Sequence, residues 1–543
     1  MFDATNPFHP GELKAQVRAG KTDVPEWAAG FIRPFMPDQH RDFFSQLPFL
    51  VLAGADTAGR HWVTLLDGPE GFITSSDPTA LQINTTPDTQ DPLATALATG
   101  SPVGMLGIEL DSRRRNRMNG HMRCTAAGFV IDVDQSFGNC PQYIHERTWR
   151  RVPAGTPVRA QHSVSLSKEQ TARIGTADTL FIGTGQQQRE DHASNGFDAS
   201  HRGGAPGFVD VVDATHLRIP DYAGNNFFNT IGNLVENPAI GLVFVDFETG
   251  GLLHLTGRAT IDWEPEDSHD EGAQRMIDVT IDAVVDRPAA LSLRWSTDTS
   301  GLRELVVIDK VVESADIMSF HLGSADGTPL EPFAAGQHLP IELDVPGRED
   351  VVKRSYSLSG APGSDHYRLS IKREAHGTAS RHLHDAVAVG DRITARTPSG
   401  DFVVPRGNGP LVLVSAGVGL TPMVAALHEV AGEGTERPVW YVHGARDSRH
   451  HALTDEVRQL ARSSANVSVK IAYSQPGSAD VEGLDYDTQG RVTTEQLLNL
   501  NVGPDADYML CGPARFLSDI RTGLERAGVP SERIHFETFG PTG

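Results

Sequence analysis

Leu411-Val412-Leu413-Val414-Ser415-Ala416-Gly417-Val418-Gly419-Leu420-Thr421-Pro422-Met423 decides the reading of this chain. A short apolar run bounded by glycine reads as a buried strand. The periodic run Met423 to Val430 then reads as a helix. Thr421 suits the helix N-cap and Pro422 the first helical position. Gly417 and Gly419 let a backbone approach a ligand closely, and the free N–H groups of the helix start suit a pyrophosphate. The alternation continues downstream. Pro438 to Gly444, Ser468 to Ser474 and Asp507 to Cys511 read as strands. Ala452 to Ser463, Thr493 to Leu500 and Pro513 to Ala527 read as helices. Strands and helices in alternation imply a parallel sheet covered on both faces, with ligands at the carboxyl ends of its strands. The 415–422 loop and Cys511-Gly512-Pro513 both sit at such ends.

Upstream, residues 302–405 have a different pattern. Leu305 to Ile308, Ile317 to Leu322, Gln337 to Leu343, Arg354 to Ser359, Tyr367 to Lys372 and Arg392 to Thr397 are short strands divided by turn residues. They predict a small antiparallel barrel. Arg354-Ser355-Tyr356-Ser357 lies in it, followed by Gly377-Thr378-Ala379-Ser380. Phe536-Glu537-Thr538-Phe539-Gly540 comes near the end of the chain.

With these motifs, residues 302–543 resemble the ferredoxin–NADP reductase superfamily, most closely the reductase half of flavohaemoglobins. The resemblance implies an antiparallel FAD-binding β-barrel over 302–406 and an α/β parallel-sheet domain for NADH or NADPH over 407–543. It implies that Arg354 pairs with the FAD pyrophosphate, Tyr356 packs on the isoalloxazine and Ser357 hydrogen-bonds near N5. Gly377, Thr378 and Ser380 would form the second pyrophosphate loop, and Gln337 falls in the Gly-Gln motif. Gly417, Gly419 and Thr421 would hold the dinucleotide, with Cys511 and Gly512 beside the nicotinamide. Glu537 and Phe539 would lie close to the flavin ring. Ser357, Cys511 and Glu537 are therefore the expected catalytic residues. An Arg fork suits phosphate and an aromatic face suits a planar ring; without the motif, Tyr356 would read as a cross-strand packing residue. A 2′-phosphate wants a cation after the second or third strand. Arg446 stands after the second and Ser474-Gln475 after the third, which leans toward NADH.

The N-terminal half repeats itself. An offset of 136 residues carries Gly68-Pro69-Glu70-Gly71-Phe72-Ile73 onto Gly204-Ala205-Pro206-Gly207-Phe208-Val209, and Asp77 to Ile83 onto Asp213 to Ile219. A slip of one residue then places Gly104, Glu109 and Gly120 on Gly241, Asp246 and Gly257. The period is too long for a solenoid and reads as a β-rich domain duplicated into a pseudo-dimer. Asp198 to Gly204, Ile219 to Asn226 and Asn229 to Leu234 resemble the pyridoxamine-phosphate-oxidase-like, FMN-binding split-barrel family. The resemblance implies FMN at the junction of the copies, contacted by Ser200, His201, Arg202, Asn225, Asn226 and Thr230. The copies span 41–160 and 161–295, after an N-terminal extension over 1–40. Ser296 to Gly301 reads as the linker. Arg113-Arg114-Arg115-Asn116-Arg117 reads either as a solvated charge cluster or as an anion clamp. Cys140 reads as a buried structural cysteine or a redox thiol.

Composition limits the rest. At 543 residues several domains are expected. A net charge of −23 argues against nucleic acid or an anionic membrane as partner. Three cysteines exclude a disulfide framework and a four-cysteine metal or iron–sulfur site. His121, His201 and His254 have no ligand spacing, so no metal is expected. The start has no basic region before an apolar run, and no stretch has 18 apolar residues. A cytoplasmic protein is expected. The chain reads as an oxidoreductase that passes electrons from NAD(P)H through FAD to an FMN or a substrate in the duplicated barrel. The alternatives are a barrel that binds haem, or one that only docks a separate acceptor. The final acceptor is not written in the sequence.

Overall fold

The computed structural model describes residues 6–28, 30–97, 101–138, 142–153, 158–186, 193–266, 268–270, 272–297, 302–347, 351–432 and 436–538. Cys140 and Phe539, and the linker residues after Thr297, lie outside them. The chain forms two compact units that divide between residues 298 and 299.

In the C-terminal unit the α/β part is a six-stranded parallel sheet. Its order is Thr488–Gln489, Val467–Tyr473, Val439–Ala445, Leu411–Ala416, Asp507–Gly512, Ile534–Thr538. The central strand Leu411–Ala416 is buried almost throughout because helices cover both faces. From it the chain first builds outward through Val439–Ala445, then returns to its other side as Asp507–Gly512. That reversal is a topological switch point, where a sheet of this kind opens a crevice. The last strand, Ile534–Thr538, was not expected as a strand: its Ile-His-Phe-Glu-Thr run is short and half polar, and pairing at the sheet edge makes it one. The helix start also differs from expectation. A 3₁₀ turn, Gly417–Gly419, runs directly into the helix Leu420–Gly432. Thr421 is thus inside the helix and not its N-cap, and its Oγ1 donates back to the Val418 carbonyl at 3.1 Å.

The preceding sheet is antiparallel, in the order Val352–Ser357, His338–Leu343, Arg392–Ala395, Arg303–Val312, Ile317–Ser324, Tyr367–Lys372. A bridge between Leu358 and Leu369 ties its first strand to its last, which curls the sheet toward a barrel around Phe320, Leu322, Leu339 and Leu369.

The N-terminal unit holds two large antiparallel sheets. One runs His61–Asp67, Phe49–Ala55, Pro102–Glu109, Arg114–Thr125, Gly128–Gly138, Ala80–Ile83, Ile73–Asp77. The other runs Gly196–Gly203, Thr179–Gln186, Ala239–Asp246, Gly251–Asp262, Arg275–Arg287, His216–Asp221, Asp210–Asp213. In chain order the two paths are the same. Their irregularities coincide too, with bulges at Asn119/Gly120 and at Thr256/Gly257. Gly104 of the first sheet lies so close to Asp198 of the second that a Cβ would come within 2.6 Å of its backbone; Gly241 of the second stands likewise against Trp62 of the first, at 2.7 Å. Reciprocal contacts of this kind are the mark of a two-fold arrangement. The segment before residue 40 is not set apart. Its helix Pro10–Arg18 packs on the helix Asn229–Glu236, where Gly11 and Gly232 allow close approach, and Lys14 pairs with Glu236 at 2.7 Å. No helix of the described residues is long and apolar enough to cross a membrane.

Candidate functional site

At the switch point the turn Gly417–Gly419 packs on the end of the neighbouring strand. A Cβ on Gly419 would sit 2.2 Å from the Cys511 carbonyl oxygen and 2.7 Å from the Gly512 nitrogen. Glycine is required there by contact. At Gly417 the requirement is conformational, since φ is +56° and no atom lies within 4 Å.

Cys511 pairs in register with Glu537 on the edge strand. Its thiol is fully buried, and burial together with the Glu537 carboxylate holds it well above the usual thiol range. It is therefore a neutral thiol and not a nucleophile. Glu537 keeps 23% of its side-chain surface, yet its Oε2 is sealed and without a partner. That burial pushes the carboxyl up. Its Oε1 stands 4.0 Å from Nδ1 of His338. His338 in turn pairs in register with Ser357 of the barrel, and its Nε2 lies 3.3 Å from Ser399 Oγ. The Ser357 hydroxyl is buried with no hydrogen-bond partner. The barrel strand and the α/β sheet thus bring Ser357, His338, Glu537 and Cys511 into one neighbourhood, with two sealed polar atoms left unsatisfied. Orphaned buried polar groups carry a cost that a bound polar molecule relieves.

The remaining motif residues divide by their surroundings. Arg354 is exposed, with Nη1 on the adjacent Lys353 carbonyl at 2.7 Å, so its fork remains open to an anion. Tyr356 is partly buried, and burial pushes its phenol up to about 12. Gly377 caps the helix Thr378–Asp385, and Ser380 Oγ accepts from the Glu374 N–H at 3.2 Å, which shapes that loop. Gln337 is tied internally, accepting from Ala334 N at 2.9 Å and donating to the Gly400 carbonyl at 3.2 Å; it fixes the loop. Open guanidinium, partly buried aromatic, helix N-terminus and sealed hydroxyl together fit a dinucleotide flavin.

Sequence reasoning missed the tie between the barrel and the sheet. Arg368 gives a bidentate pair to Glu456 at 2.7 and 2.9 Å and also bonds Ser359, which follows the Arg-Ser-Tyr-Ser motif. Burial raises the Glu456 carboxyl, but hydrogen bonds from His428 and Arg368 outweigh it and hold the carboxyl at about 2. It missed a buried histidine row as well. Ser415 Oγ lies 2.9 Å from His443 Nδ1, the His443 and His451 rings lie 4.9 Å apart, and His451 reaches the Tyr473 hydroxyl at 3.0 Å. Burial pushes His443 well below the usual histidine range and His451 to about 4. Both stay neutral in the fold, while the unfolded chain takes up protons near pH 6.5. Their stabilising contribution is complete above that pH and declines as pH falls toward 4, by about 1.4 kcal/mol per pH unit for each histidine. Urea midpoints at pH 7 and pH 5 are expected to differ less in His451→Asn than in the unaltered protein. An equal difference in the two would remove His451 from this account.

In the N-terminal unit the arginine run resolves by strand alternation. Arg117 turns inward and is 6% exposed. Its Nη1 donates to Asp198 at 3.0 Å and to Asn229 at 2.9 Å, and its Nη2 donates to Ser200 at 2.6 Å. Ser200 also bonds Thr230 at 2.9 Å. Ser200 and Thr230 therefore belong to a closed internal network and not to an open surface. Asn229 extends that network to Glu12 at 2.5 Å, whose carboxyl burial pushes up to about 8. Asn225 Oδ1 accepts from Phe227 N at 3.1 Å, and Asn226 takes a left-handed backbone, so both shape the turn before the helix. Arg115, on the same face as Arg117, lies 3.3 Å from Nδ1 of His201. His201 is buried, with Nε2 unsatisfied, and Arg202 beside it has an unsatisfied Nε while pairing with Asp221 at 3.2 Å. Burial first, then Arg115, His145, Arg202 and Arg147, keep His201 well below its usual range. A concentration of cations with sealed donors at the junction of two sheets fits a phosphate group. Among the described residues no group of three or more His, Cys, Asp or Glu is placed to hold a metal.

The C-terminal unit thus defines a class, an NAD(P)H-dependent FAD oxidoreductase module. Residues 304–404 match the oxidoreductase FAD-binding domain family and residues 413–522 the oxidoreductase NAD-binding domain family. The chain is 39% identical over 240 residues to a flavohemoprotein of Deinococcus radiodurans, covering 44% of this chain and 60% of that protein. It is 38% identical over 269 residues to a flavohemoprotein of Pseudomonas aeruginosa, covering 49% and 66%. The flavohem-like FAD/NAD-binding domain of a nitric oxide dioxygenase from Vibrio cholerae is 35% identical, with a TM-score of 0.40, over 44% of this chain and 99% of that structure. The chain spans about 60% of the length of the curated relatives it matches.

Proposed function

We propose that this protein draws hydride from NADH, or from NADPH, into FAD held by residues 302–543 and passes the electrons to an FMN or substrate in the duplicated N-terminal barrel. The observation that carries the first half is the convergence of Ser357, Glu537 and Cys511 beside the turn Gly417–Gly419. When bound, FAD supplies the hydride acceptor. Arg354 holds the pyrophosphate, with Gly377, Thr378 and Ser380 as a second cradle. Tyr356 would offer its partly buried aromatic face to the flavin, and the unsatisfied Ser357 hydroxyl would hydrogen-bond it. Gly417, Gly419 and Thr421 place the dinucleotide so that the nicotinamide lies against Cys511 and Gly512. The neutral thiol fills space there and keeps water out. Glu537 holds or releases a proton at Oε2, and His338 stands between it and Ser399. Arg446 is exposed after the second strand, but Gln475 gives the third no cation, which favours NADH.

The second half rests on the basic cluster at the junction of the two sheets. Arg115 from one copy and His201 and Arg202 from the other are the groups that would hold an FMN phosphate. A split-barrel pseudo-dimer over 41–160 and 161–295 accounts for the matching strand orders. Extraction of bound chromophores from the purified protein is expected to return FAD and FMN in equal amounts. Arg354→Ala should lose FAD on dialysis, weakened by roughly 1.5–3 kcal/mol for one charge-assisted bond, and should keep FMN. A Soret band or a single flavin would overturn the FMN assignment. Full retention of FAD by Arg354→Ala would overturn the motif assignment.

A further inference from the structure

The N-terminal unit carries a cavity of about 430 Å³ apart from the residues given to either flavin. One side of it is a two-stranded ribbon, Thr148–Arg151 against Leu293–Ser296. In the register of that ribbon Arg150 stands directly opposite Arg294. Like charges directly opposite across an antiparallel pair repel and destabilise it. The chain has 70 acidic against 47 basic side chains, so carboxylates that could relieve the pair are plentiful. None does so among the described residues. The Arg294 guanidinium turns to the Leu291 and Leu293 carbonyls at 2.8 and 2.7 Å, and the Arg150 guanidinium has no hydrogen-bond or ion-pair partner there. A third arginine lines the same cavity. Arg147 is nearly buried, pairs with Asp178 at 2.6 Å and lies over the Phe247 ring at 4.0 Å. Asp178 balances Arg147, which leaves Arg150 and Arg294 without an ion-pair partner among the described residues, where exposed Glu248 is the acid in the lining.

Arg150, exposed, and Arg294, half-buried with Nη1 on main-chain carbonyls, stand opposite each other in register beside the cavity, and a guanidinium fork suits phosphate and carboxylate groups. The volume is in the range of small-molecule sites and exceeds the need of a bare oxyanion. We propose that this cavity binds the phosphate or carboxylate group of a small anionic molecule between Arg150 and Arg294, with the Arg147–Phe247 stack lining the space for the rest of it. The anion supplies a charge that no ion pair among the described residues gives Arg150 or Arg294.

The flavin-loaded full chain is titrated calorimetrically with inorganic phosphate and, separately, with benzoate. At least one is expected to bind, Arg150→Lys to retain most of that affinity, and Arg150→Glu to lose at least tenfold. Binding of phosphate alone or of benzoate alone identifies the group recognised. Thermal melting gives an independent readout. Arg150→Glu places opposite charges in register, so its Tm in anion-free buffer should equal or exceed that of the unaltered protein. The bound anion should raise the Tm of the unaltered protein and not that of the variant. Flavin content and NAD(P)H oxidation should be the same in both. The proposal is overturned if neither anion binds, if Arg150→Glu binds as well as the unaltered protein, or if Arg150→Glu melts lower in anion-free buffer.

Discussion

Replacing Gly419 by leucine is expected to abolish reduction of the bound flavin by NAD(P)H while leaving it fully reducible by dithionite. The reason is contact. A Cβ at this position would lie 2.2 Å from the Cys511 carbonyl oxygen and 2.5 Å from its carbon, and backbone atoms do not yield as a flexible side-chain end does. The turn must move away from the strand Asp507–Gly512, or the strand from the turn. Either movement opens the crevice in which the nicotinamide is proposed to meet the flavin. A misplacement of about 1 Å costs on the order of a hundredfold in rate, and leucine demands more than that. Gly417→Asn is the control. The left-handed backbone there, with φ +56° and open space around it, is one that asparagine tolerates. That variant should keep much of the activity. Stopped-flow absorbance under anaerobic conditions reads both. Prompt reduction of the Gly419→Leu flavin by NAD(P)H would mean that the dinucleotide does not enter beside Cys511.

The two halves were legible in the sequence to different depths. The α/β sheet announced itself because its central strands are short, apolar and followed by glycine, a pattern that only burial on both faces allows. Ile534–Thr538 escaped because an edge strand needs no such run. The motif around Arg354 pointed to Ser357 and the run Phe536 to Gly540 pointed to Glu537, and both stand beside His338. Neither pointed to His338, which joins them only because register sets it opposite Ser357. The repeat at an offset of 136 was readable from glycines and turn residues. At Gly120 and Gly257 a Cβ would have no room, since it would lie 2.0 Å from a carbonyl oxygen across the ladder in each copy. What the repeat does at its junction was not readable. Ser200 and Thr230 stood out as polar residues in a motif, but Ser200 is spent on Arg117, whose partner Asp198 is 81 residues away, and Thr230 on Ser200. Strand alternation held the missing signal: in the run from Arg113 to Arg117, Arg115 and Arg117 share a face, and that face turns to the other sheet.

Arg117→Met is expected to destabilise the N-terminal unit by about 3–5 kcal/mol, since removing one partner of a buried pair strands the other charge. Asp198 is 2% exposed, and without Arg117 its only other side-chain hydrogen bond among the described residues is the one from Ser200 at 3.0 Å. A loss of that size is a large share of the roughly 5–15 kcal/mol that holds a typical domain together. Adding Asp198→Asn should recover much of it, because the stranded charge and not the lost packing dominates the cost. The matching strand orders give a second comparison. Gly120 corresponds to Gly257, so Arg117 corresponds to His254. His254 also crosses to the other sheet, with Nδ1 on the Val63 carbonyl at 2.8 Å. One side of the junction is thus closed by an ion pair and the other by a single neutral hydrogen bond. His254→Gln should therefore cost about 0.5–1.5 kcal/mol, the net worth of such a bond. Urea unfolding followed by tryptophan fluorescence measures all four proteins. If Arg117→Met costs no more than His254→Gln, or if Asp198→Asn fails to rescue it, the junction is held by packing alone and its polar network is incidental.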